Sequence, residues 1–281
     1  MTVEPVAITD PADPRLAAYA AMRERDLIGR AGRFIVEGEV TLRLLLSTRA
    51  RFRAESILLL PERLPALSGA LAAYPASPPV YVAEKAVMSA VAGFPIHRGV
   101  LAVGIRGDGA CADALVPAPP APALVVGLAG LTNHDNVGGL FRNAAAFGAD
   151  AVLLDAGTCD PLYRKAIRVS AGAALTMPFA RLAAGEDWLD TAGRLDLVPV
   201  ALSPHASEEV GDLAPLPRVL LLLGTEGPGL PAALIARMRG LRIPMAAGFD
   251  SLNVATAGAI ALHHLARASR RLTRDKGLQL P

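Results

Sequence analysis

The stretch LVVGLAGLTNHDNVGGLFR, from Leu124 to Arg142, decides the fold class of this chain. It begins as an apolar run of strand length and passes through a polar loop that contains Asn136, for which we expect the role of a helix N-cap. An apolar periodic segment, Val137 to Phe147, then predicts a helix that ends at Gly148, since glycine is typical just after a helix. Strand, loop and helix in this order are the repeating unit of a parallel sheet covered by helices.

The same alternation continues along the chain and predicts an α/β fold with a mainly parallel sheet. Ligands in such sheets collect at the carboxyl ends of the strands. Further strands are expected at Ala151–Leu154, Leu197–Leu202, Val219–Leu223 and Leu241–Ile243, and further helices at Pro231–Arg239 and Leu252–Arg271.

Residues 1–105 predict a separate, small α/β domain. A stretch rich in glycine, alanine and proline follows at 106–122 and is expected to be a linker, so that 123–281 forms the second domain. In the first domain we expect strands at Phe34–Val36, Ser56–Leu60 and Val80–Val82, helices at Leu16–Leu27 and Val40–Ser47, and a last apolar run at Val100–Ile105.

Composition limits the class of protein. Of the 281 residues, 52% are hydrophobic and the mean hydropathy is +0.39, but no apolar run reaches the roughly 18 residues of a membrane span. No secretory leader is recognisable at the N-terminus, and Cys111 and Cys159 have no metal-ligand or disulfide spacing. We therefore expect a cytoplasmic protein without a membrane span or a structural metal.

Three loops rich in glycine and asparagine stand at the ends of apolar runs. Arg142 lies in the second turn of the predicted helix, and its side chain can lean back toward the first loop. Glu226 is the only charge in the second loop and suits a contact with an arginine or with a polar ligand. Each loop alone is compatible with an ordinary cap or turn. The loops are Asn133–Arg142, Gly224–Leu230 and Ser251–Ala257.

Two nucleotide-binding signatures are missing. The second loop lacks the downstream lysine with serine or threonine that a phosphate-binding loop requires. The glycines around Gly127 and Gly130 do not have the spacing of a dinucleotide-binding turn. A nucleotide-dependent oxidoreductase or NTPase is therefore not favoured.

Together, the three loops and the segment Ala166–Pro178 resemble the motifs of the SpoU (TrmH-type) family of RNA ribose 2′-O-methyltransferases, in the SPOUT superfamily. The resemblance covers residues 123–271, with all three motifs in order. The segment Arg33–Glu39 is similar to the family's small ribosomal-protein-like domain that binds the RNA substrate.

The resemblance implies a C-terminal trefoil knot, a homodimer and S-adenosylmethionine as the cofactor, with no metal. The family often has serine where this chain has Ala255. The implied catalytic residues are Asn136, Arg142, Glu226, Ser251 and Asn253, and the implied cofactor-binding residues are Gly224, Ile243 and Leu252.

The expected substrate is a ribose 2′-hydroxyl in structured rRNA or tRNA. A rival hypothesis is a catalytically silent RNA-binding or ribosome-assembly module on the same scaffold. The net charge is only +2, and the abundance of arginine over lysine fits either phosphate recognition or a coding bias. The expected RNA-binding residues are Arg30, Arg33, Arg49, Arg51, Arg53, Arg164 and Lys165, of which the last two fit a solvated helix face equally well.

Overall fold

A computed structural model describes residues 4–20, 32–225, 227, 229–249 and 251–269. By internal contacts the chain divides into two units. The first comprises Met1–Gly109 and Asp160–Thr176, and the second comprises Ala110–Cys159 and Met177–Pro281. The segment Asp160–Thr176 thus groups with the N-terminal part of the chain, while the domain boundaries expected from the sequence stay a prediction.

Among the described residues of the first unit, five strands form a mixed sheet in the order β1-β4-β3-β5-β2. β3 runs parallel to β4 and antiparallel to β5. The strands are β1 (Val6–Ala7), β2 (Arg33–Glu37), β3 (Arg53–Leu59), β4 (Val80–Val82) and β5 (Val100–Ile105).

Helices cover this sheet and bury its apolar side chains. α1 (Glu39–Leu45) follows β2, and a core forms around Leu58, Met88 and Leu101. The expected helix at Leu16–Leu27 is wrong where it can be compared, because Pro14–Tyr19 forms a 3-10 helix and not an α-helix. Its remainder, from residue 21 onward, lies outside the described residues. The other helices of this unit are α2 (Leu64–Ala73), α3 (Lys85–Ala92), α6 (Arg164–Val169) and α7 (Ala173–Thr176).

In the second unit, a sheet of seven described strands has the order β10-β12-β9-β11-β6-β7-β8, and every pairing in it is parallel. The expected α/β fold with a mainly parallel sheet is therefore confirmed. The strands are β6 (Ala123–Leu128), β7 (Ala151–Leu154), β8 (Phe179–Arg181), β9 (Val198–Leu202), β10 (Glu208–Glu209), β11 (Arg218–Leu223) and β12 (Arg239–Arg242).

Helices of the second unit pack against the strands of its sheet. The expected linker contains a short helix, with Ala112 and Val116 buried in the same core as Trp188. The expected helix at Pro231–Arg239 is too long, because the chain is helical only to Ile235 and has entered β12 at Arg239. The helices are α4 (Ala112–Leu115), α5 (His134–Ala146), α8 (Trp188–Arg194), α9 (Ala232–Ile235) and α10 (Val254–Ala268).

The start of α5 corrects one sequence expectation. Asn133, and not Asn136, caps the helix, since its side chain accepts a hydrogen bond from the amide of Asp135. Asn136 lies inside the first turn and is buried. Both residues are asparagines, a favoured N-cap type, and lie in the same polar loop, so local propensity alone does not choose between them.

Arg218 fixes the amino-terminal edge of the sheet. Its guanidinium is 7% exposed and donates to the carbonyl oxygens of Leu195 (2.6 Å), Asp196 (2.9 Å) and Ala121. These carbonyls lie just before β9 and β6, so one buried side chain at the start of β11 binds three backbone groups, of which that of Leu195 belongs to a buried residue.

In the described part of the chain, no helix is both long and apolar enough to cross a membrane.

Candidate functional site

A cleft of about 980 Å³ opens in the second unit at the carboxyl ends of β9, β11 and β12. Because these strands are parallel, the residues that follow them meet at one edge of the sheet. Leu202 and Leu223 end two of the strands, and Ile243 follows the third. The three residues expected to bind a cofactor, Gly224, Ile243 and Leu252, all line the cleft.

The loop after β11 forms one wall of the cleft and requires glycine at position 224. A Cβ atom added to Gly224 would lie 2.6 Å from the backbone nitrogen of Leu230 and 2.8 Å from the carbonyl carbon of Gly229. The loop folds back on itself there, and the amide of Gly229 donates to the carbonyl of Thr225 (3.1 Å). A glycine is therefore needed for the close approach of two backbone segments.

The third motif forms the opposite wall. Asn253 is the N-cap of α10, because its Oδ1 accepts from the amides of Ala255 (2.9 Å) and Thr256 (3.3 Å). Ser251 and Leu252 precede the cap and line the cleft together with Asn253. Leu252 is 41% exposed, so it is not a core residue. The expected helix Leu252–Arg271 begins at Val254 and extends to Ala268 in the described residues.

The first and third motifs are joined directly. Asn253 Nδ2 donates a hydrogen bond of 2.9 Å to Oδ1 of the buried Asn136. Two turns further along α5, Asn143 Nδ2 donates to the carbonyl of Ala255 (2.8 Å). A Cβ atom on Gly139 would lie 3.0 Å from the Ala255 side chain, so Ala255 occupies a close contact between α5 and α10.

Arg142 lies on the exposed face of α5. Within the described parts of the chain, its guanidinium forms no hydrogen bond or ion pair. Glu226, the expected partner of this arginine, lies outside the described residues, so that contact stays a prediction.

The expected RNA-binding residues of the first unit have different environments. Arg49, Arg51 and Arg53 are exposed, and so is Lys165. Arg33 is paired with Glu55, at 2.7 Å from Nε to Oε2. Arg30 lies outside the described residues.

Arg164 has a structural contact on each side. Its Nη1 lies 3.2 Å from Oε2 of the buried Glu37, and its guanidinium stacks over the ring of Phe94 at 4.1 Å from the centroid. Glu37 and Arg164 are far apart in the sequence, so this contact attaches the segment Asp160–Thr176 to β2 of the same unit.

Sequence reasoning missed part of the cleft. Ser203, Pro204 and His205, which directly follow β9, line it beside Thr225 and Met245. Their position after a predicted strand was a usable signal, since neighbouring parallel strands end at the same edge. Glu208, close to them in the chain, accepts hydrogen bonds from Arg239 on both carboxylate oxygens (2.8 and 2.6 Å), which lowers the pKa of Glu208. This pair joins β10 to β12 and fixes the edge of the sheet.

A group of three or more histidine, cysteine, aspartate or glutamate side chains that could hold a metal ion is not found among the described residues.

The arrangement of cleft and motifs agrees with a comparison of the sequence with known families. The model of the SpoU rRNA methylase family matches residues 123–263. The chain belongs to the SpoU rRNA methylase family. Membership assigns it an RNA methyltransferase activity.

Relatives of this SpoU family member match it along most of its length. It is 37% identical to an uncharacterized tRNA/rRNA methyltransferase of Mycobacterium bovis, over 94% of this chain and 93% of that protein. The crystal structure of an RNA 2′-O ribose methyltransferase is 29% identical, with a TM-score of 0.77 over 95% of this chain and 100% of its own. A SpoU methyltransferase of Streptomyces viridochromogenes, solved with AdoMet, shares the fold at 24% identity and a TM-score of 0.76, over 91% and 98% of the two chains.

Proposed function

We propose that this protein is an S-adenosylmethionine-dependent methyltransferase that modifies a ribose 2′-hydroxyl in structured rRNA or tRNA. The observation that carries the proposal is the hydrogen bond between Asn253 and Asn136, because it joins the wall of the cleft to the helix that presents Arg142. The similarity to an RNA 2′-O ribose methyltransferase over the whole chain supports the choice of the ribose oxygen.

The lining of the cleft suits S-adenosylmethionine. Its volume of about 980 Å³ accommodates a ligand of this size, since such sites usually measure about 300–1,000 Å³. Leu202, Ile243 and Leu252 offer apolar surface to an adenine ring. Ser203 and Thr225 add hydroxyl groups, and Gly224 allows close approach to the backbone. The bound cofactor supplies a methyl group on a sulfonium, which is already activated for transfer.

The remaining work of the protein is to position the ribose and to help remove its proton. Arg142 is exposed at the side of α5, and a guanidinium stays protonated at all relevant pH values. It therefore orients the ribose and its neighbouring phosphate by charge and hydrogen bonding and does not itself act as the base. Asn253 holds Asn136 by a hydrogen bond, and Asn136 thereby fixes the turn of α5 that precedes Arg142.

Recognition of the RNA is assigned mainly to phosphate contacts. Arg49, Arg51 and Arg53 are exposed and form no ion pair with the described residues, as expected of side chains that bind a polyanion. Because Arg164 is held by Glu37 and Phe94, we assign it the role of fixing its own segment and keep the adjacent, exposed Lys165 as a phosphate ligand. A homodimer, a trefoil knot and a cytoplasmic location remain part of the proposal on the family resemblance.

The proposal is tested with the full chain, S-adenosylmethionine labelled on the methyl group, and total RNA from cells that lack the protein. We expect label in RNA and, after digestion to nucleosides, on the ribose. Label on a base would overturn the ribose assignment. Binding of RNA without any transfer would instead favour the silent module.

A further inference from the structure

The loop between β6 and α5 belongs to the site, but residues outside the three motifs hold it in position. It covers Ala129 to Asn133 and leads from the sheet directly into the helix that carries Asn136 and Arg142. Gly130 has a φ of +69°, so the chain turns sharply there. A loop of this kind holds one conformation only if its backbone groups have fixed partners.

Two residues of the next loop along the sheet, which follows β7, provide those partners. Asp155 Oδ1 accepts a hydrogen bond from the amide of Gly130 (3.0 Å). Thr158 Oγ1 accepts from the amide of Leu131 (3.2 Å), and the amide of Cys159 donates to the carbonyl of Leu131 (2.8 Å). The two loops are therefore joined at consecutive residues.

Asp155 and Thr158 are also fixed to each other. The amide of Thr158 donates to Asp155 Oδ1 (2.8 Å), and the Thr158 hydroxyl donates either to that oxygen (2.7 Å) or to the carbonyl of Leu128 (2.8 Å). Thr158 is only 3% exposed, so water cannot freely replace a hydrogen bond that its side chain loses, and the loss costs stability. The exposed Arg181 also holds the loop after β7, since its Nη1 donates to the carbonyls of both Asp155 and Thr158.

We propose that Asp155 and Thr158 are positioning residues for methyl transfer, which hold the loop before α5 so that Asn136 and Arg142 meet the ribose in the reactive geometry. Neither residue lines the cleft, so we expect cofactor binding to be unaffected by their substitution. The inference rests on the proposed function. Misplacement of a reacting group by about 1 Å can cost roughly a hundredfold in rate, so a small displacement of this loop is enough to matter.

The main variant is Thr158→Val, which keeps the shape of the side chain and removes its hydroxyl. Thr158→Ser restores the hydroxyl. The matched control is Thr191→Val, because Thr191 is also buried in the second unit and its hydroxyl donates to the carbonyl of Asp187 (2.8 Å) at the start of α8. Arg181→Ala is a second variant that changes only an exposed side chain and is expected to fold.

Two measurements are made on the full chain. In single-turnover methyl transfer at saturating cofactor and RNA, we expect Thr158→Val to be about ten- to a hundredfold slower and Arg181→Ala to be slower by a smaller factor. We expect Thr158→Ser and Thr191→Val to stay within about twofold of the wild type, and the affinity for S-adenosylhomocysteine to be unchanged in every variant. In amide hydrogen exchange, residues 129–136 lose protection in Thr158→Val and keep it in Thr191→Val.

The inference is overturned if Thr158→Val transfers methyl groups at the wild-type rate, if it slows transfer no more than Thr191→Val, or if exchange in residues 129–136 is unchanged. A wild-type chain that transfers no methyl group to RNA overturns the proposed function. The exchange measurement still decides in that case whether Thr158 holds the loop.

Discussion

Asn253 Nδ2 and Asn136 Oδ1 are 2.9 Å apart, although 117 residues separate them in the sequence. The same Asn253 side chain caps α10 through its Oδ1 atom. One amide group thus begins a helix with its oxygen and fixes the first motif with its nitrogen. The two roles can be separated by mutation, because each uses a different atom.

We expect Asn253→Ser to retain the cap but to lose the contact with Asn136, since serine caps helices about as well as asparagine but is shorter. Its melting temperature should stay close to that of the wild type while methyl transfer falls. Asn253→Ala should lose both contacts and about 1 kcal/mol of stability. Thermal unfolding and single-turnover assays of the two variants provide the comparison. Equal activity in Asn253→Ser and the wild type would argue against a role for the contact.

Arg142→Ala should abolish most of the methyl transfer without unfolding the protein. Because Arg142 is exposed and makes no ion pair with the described residues, its removal should change stability by less than about 0.5 kcal/mol. The affinity for S-adenosylhomocysteine, measured by calorimetry, should be unchanged. Arg267→Ala, an exposed arginine in the last turn of α10, is the control and should remain active. A variant at Arg142 that stays fully active would remove this residue from the mechanism.

Gly224→Ala should lower cofactor affinity at least about tenfold, because the added methyl group collides with the backbone of Gly229 and Leu230 and displaces a wall of the cleft. Gly193→Ala is the matched control. Gly193 lies in α8, an added Cβ there meets nothing within 4 Å, and alanine favours a helix by about 1 kcal/mol over glycine. Calorimetry with S-adenosylhomocysteine distinguishes them. Similar affinities in both variants would show that the loop after β11 tolerates displacement.

Arg218→Met should destabilise the second unit by about 3 kcal/mol, since three backbone carbonyl groups lose a charged hydrogen-bond donor. Lysine at this position carries the charge but cannot reproduce the planar arrangement of donors, so Arg218→Lys should recover only part of the loss. Arg237→Ala changes an exposed arginine and should be neutral. Chemical unfolding gives the three free energies, and a small effect of Arg218→Met would contradict this account.

The stability of the first unit should decrease in alkaline solution because of Tyr19. Burial raises the pKa of Tyr19 above its usual value of 10.0, against the opposing effect of its 2.8 Å hydrogen bond with Ser56. The folded state therefore holds the phenol proton more tightly than the unfolded state, and this contribution is complete below pH 10 and declines as the pH rises beyond it. Tyr19→Phe should reduce the decline in melting temperature between about pH 9.5 and 11. An unchanged slope would mean that Tyr19 does not control it.

The sequence predicted features that depend on neighbours in the chain. Val219–Leu223 and Leu124–Gly127 were expected as strands because continuous apolar runs suit a sheet that is covered on both faces, and both lie in the centre of the sheet. Gly224, Ile243 and Leu252 were expected at one site by family resemblance, and they line one cleft. In each case a local pattern or motif held the information.

What the sequence could not predict depends on contacts between distant residues. Asn136 was expected to cap α5, but its burial beside Asn253 is decided by a segment more than a hundred residues away. The exposure of Arg142 depends on which face of α5 packs against α10. The hydrogen bonds by which Asp155 and Thr158 hold the loop before α5 have no recognisable sequence pattern, since an aspartate and a threonine after a strand are common in any turn.

The division of the chain into two units determines whether either unit can be produced as a separate fragment. The first unit is discontinuous, because the polypeptide leaves the second unit after Cys159, contributes Asp160–Thr176 to the first and returns at Met177. A fragment that ends near residue 109 would lack the arginine that neutralises the buried Glu37. The complementary fragment would carry the segment Asp160–Thr176, whose helix α6 packs against β2 of the first unit. Neither unit is therefore a self-sufficient module that recombination could transfer to another protein by a single crossover.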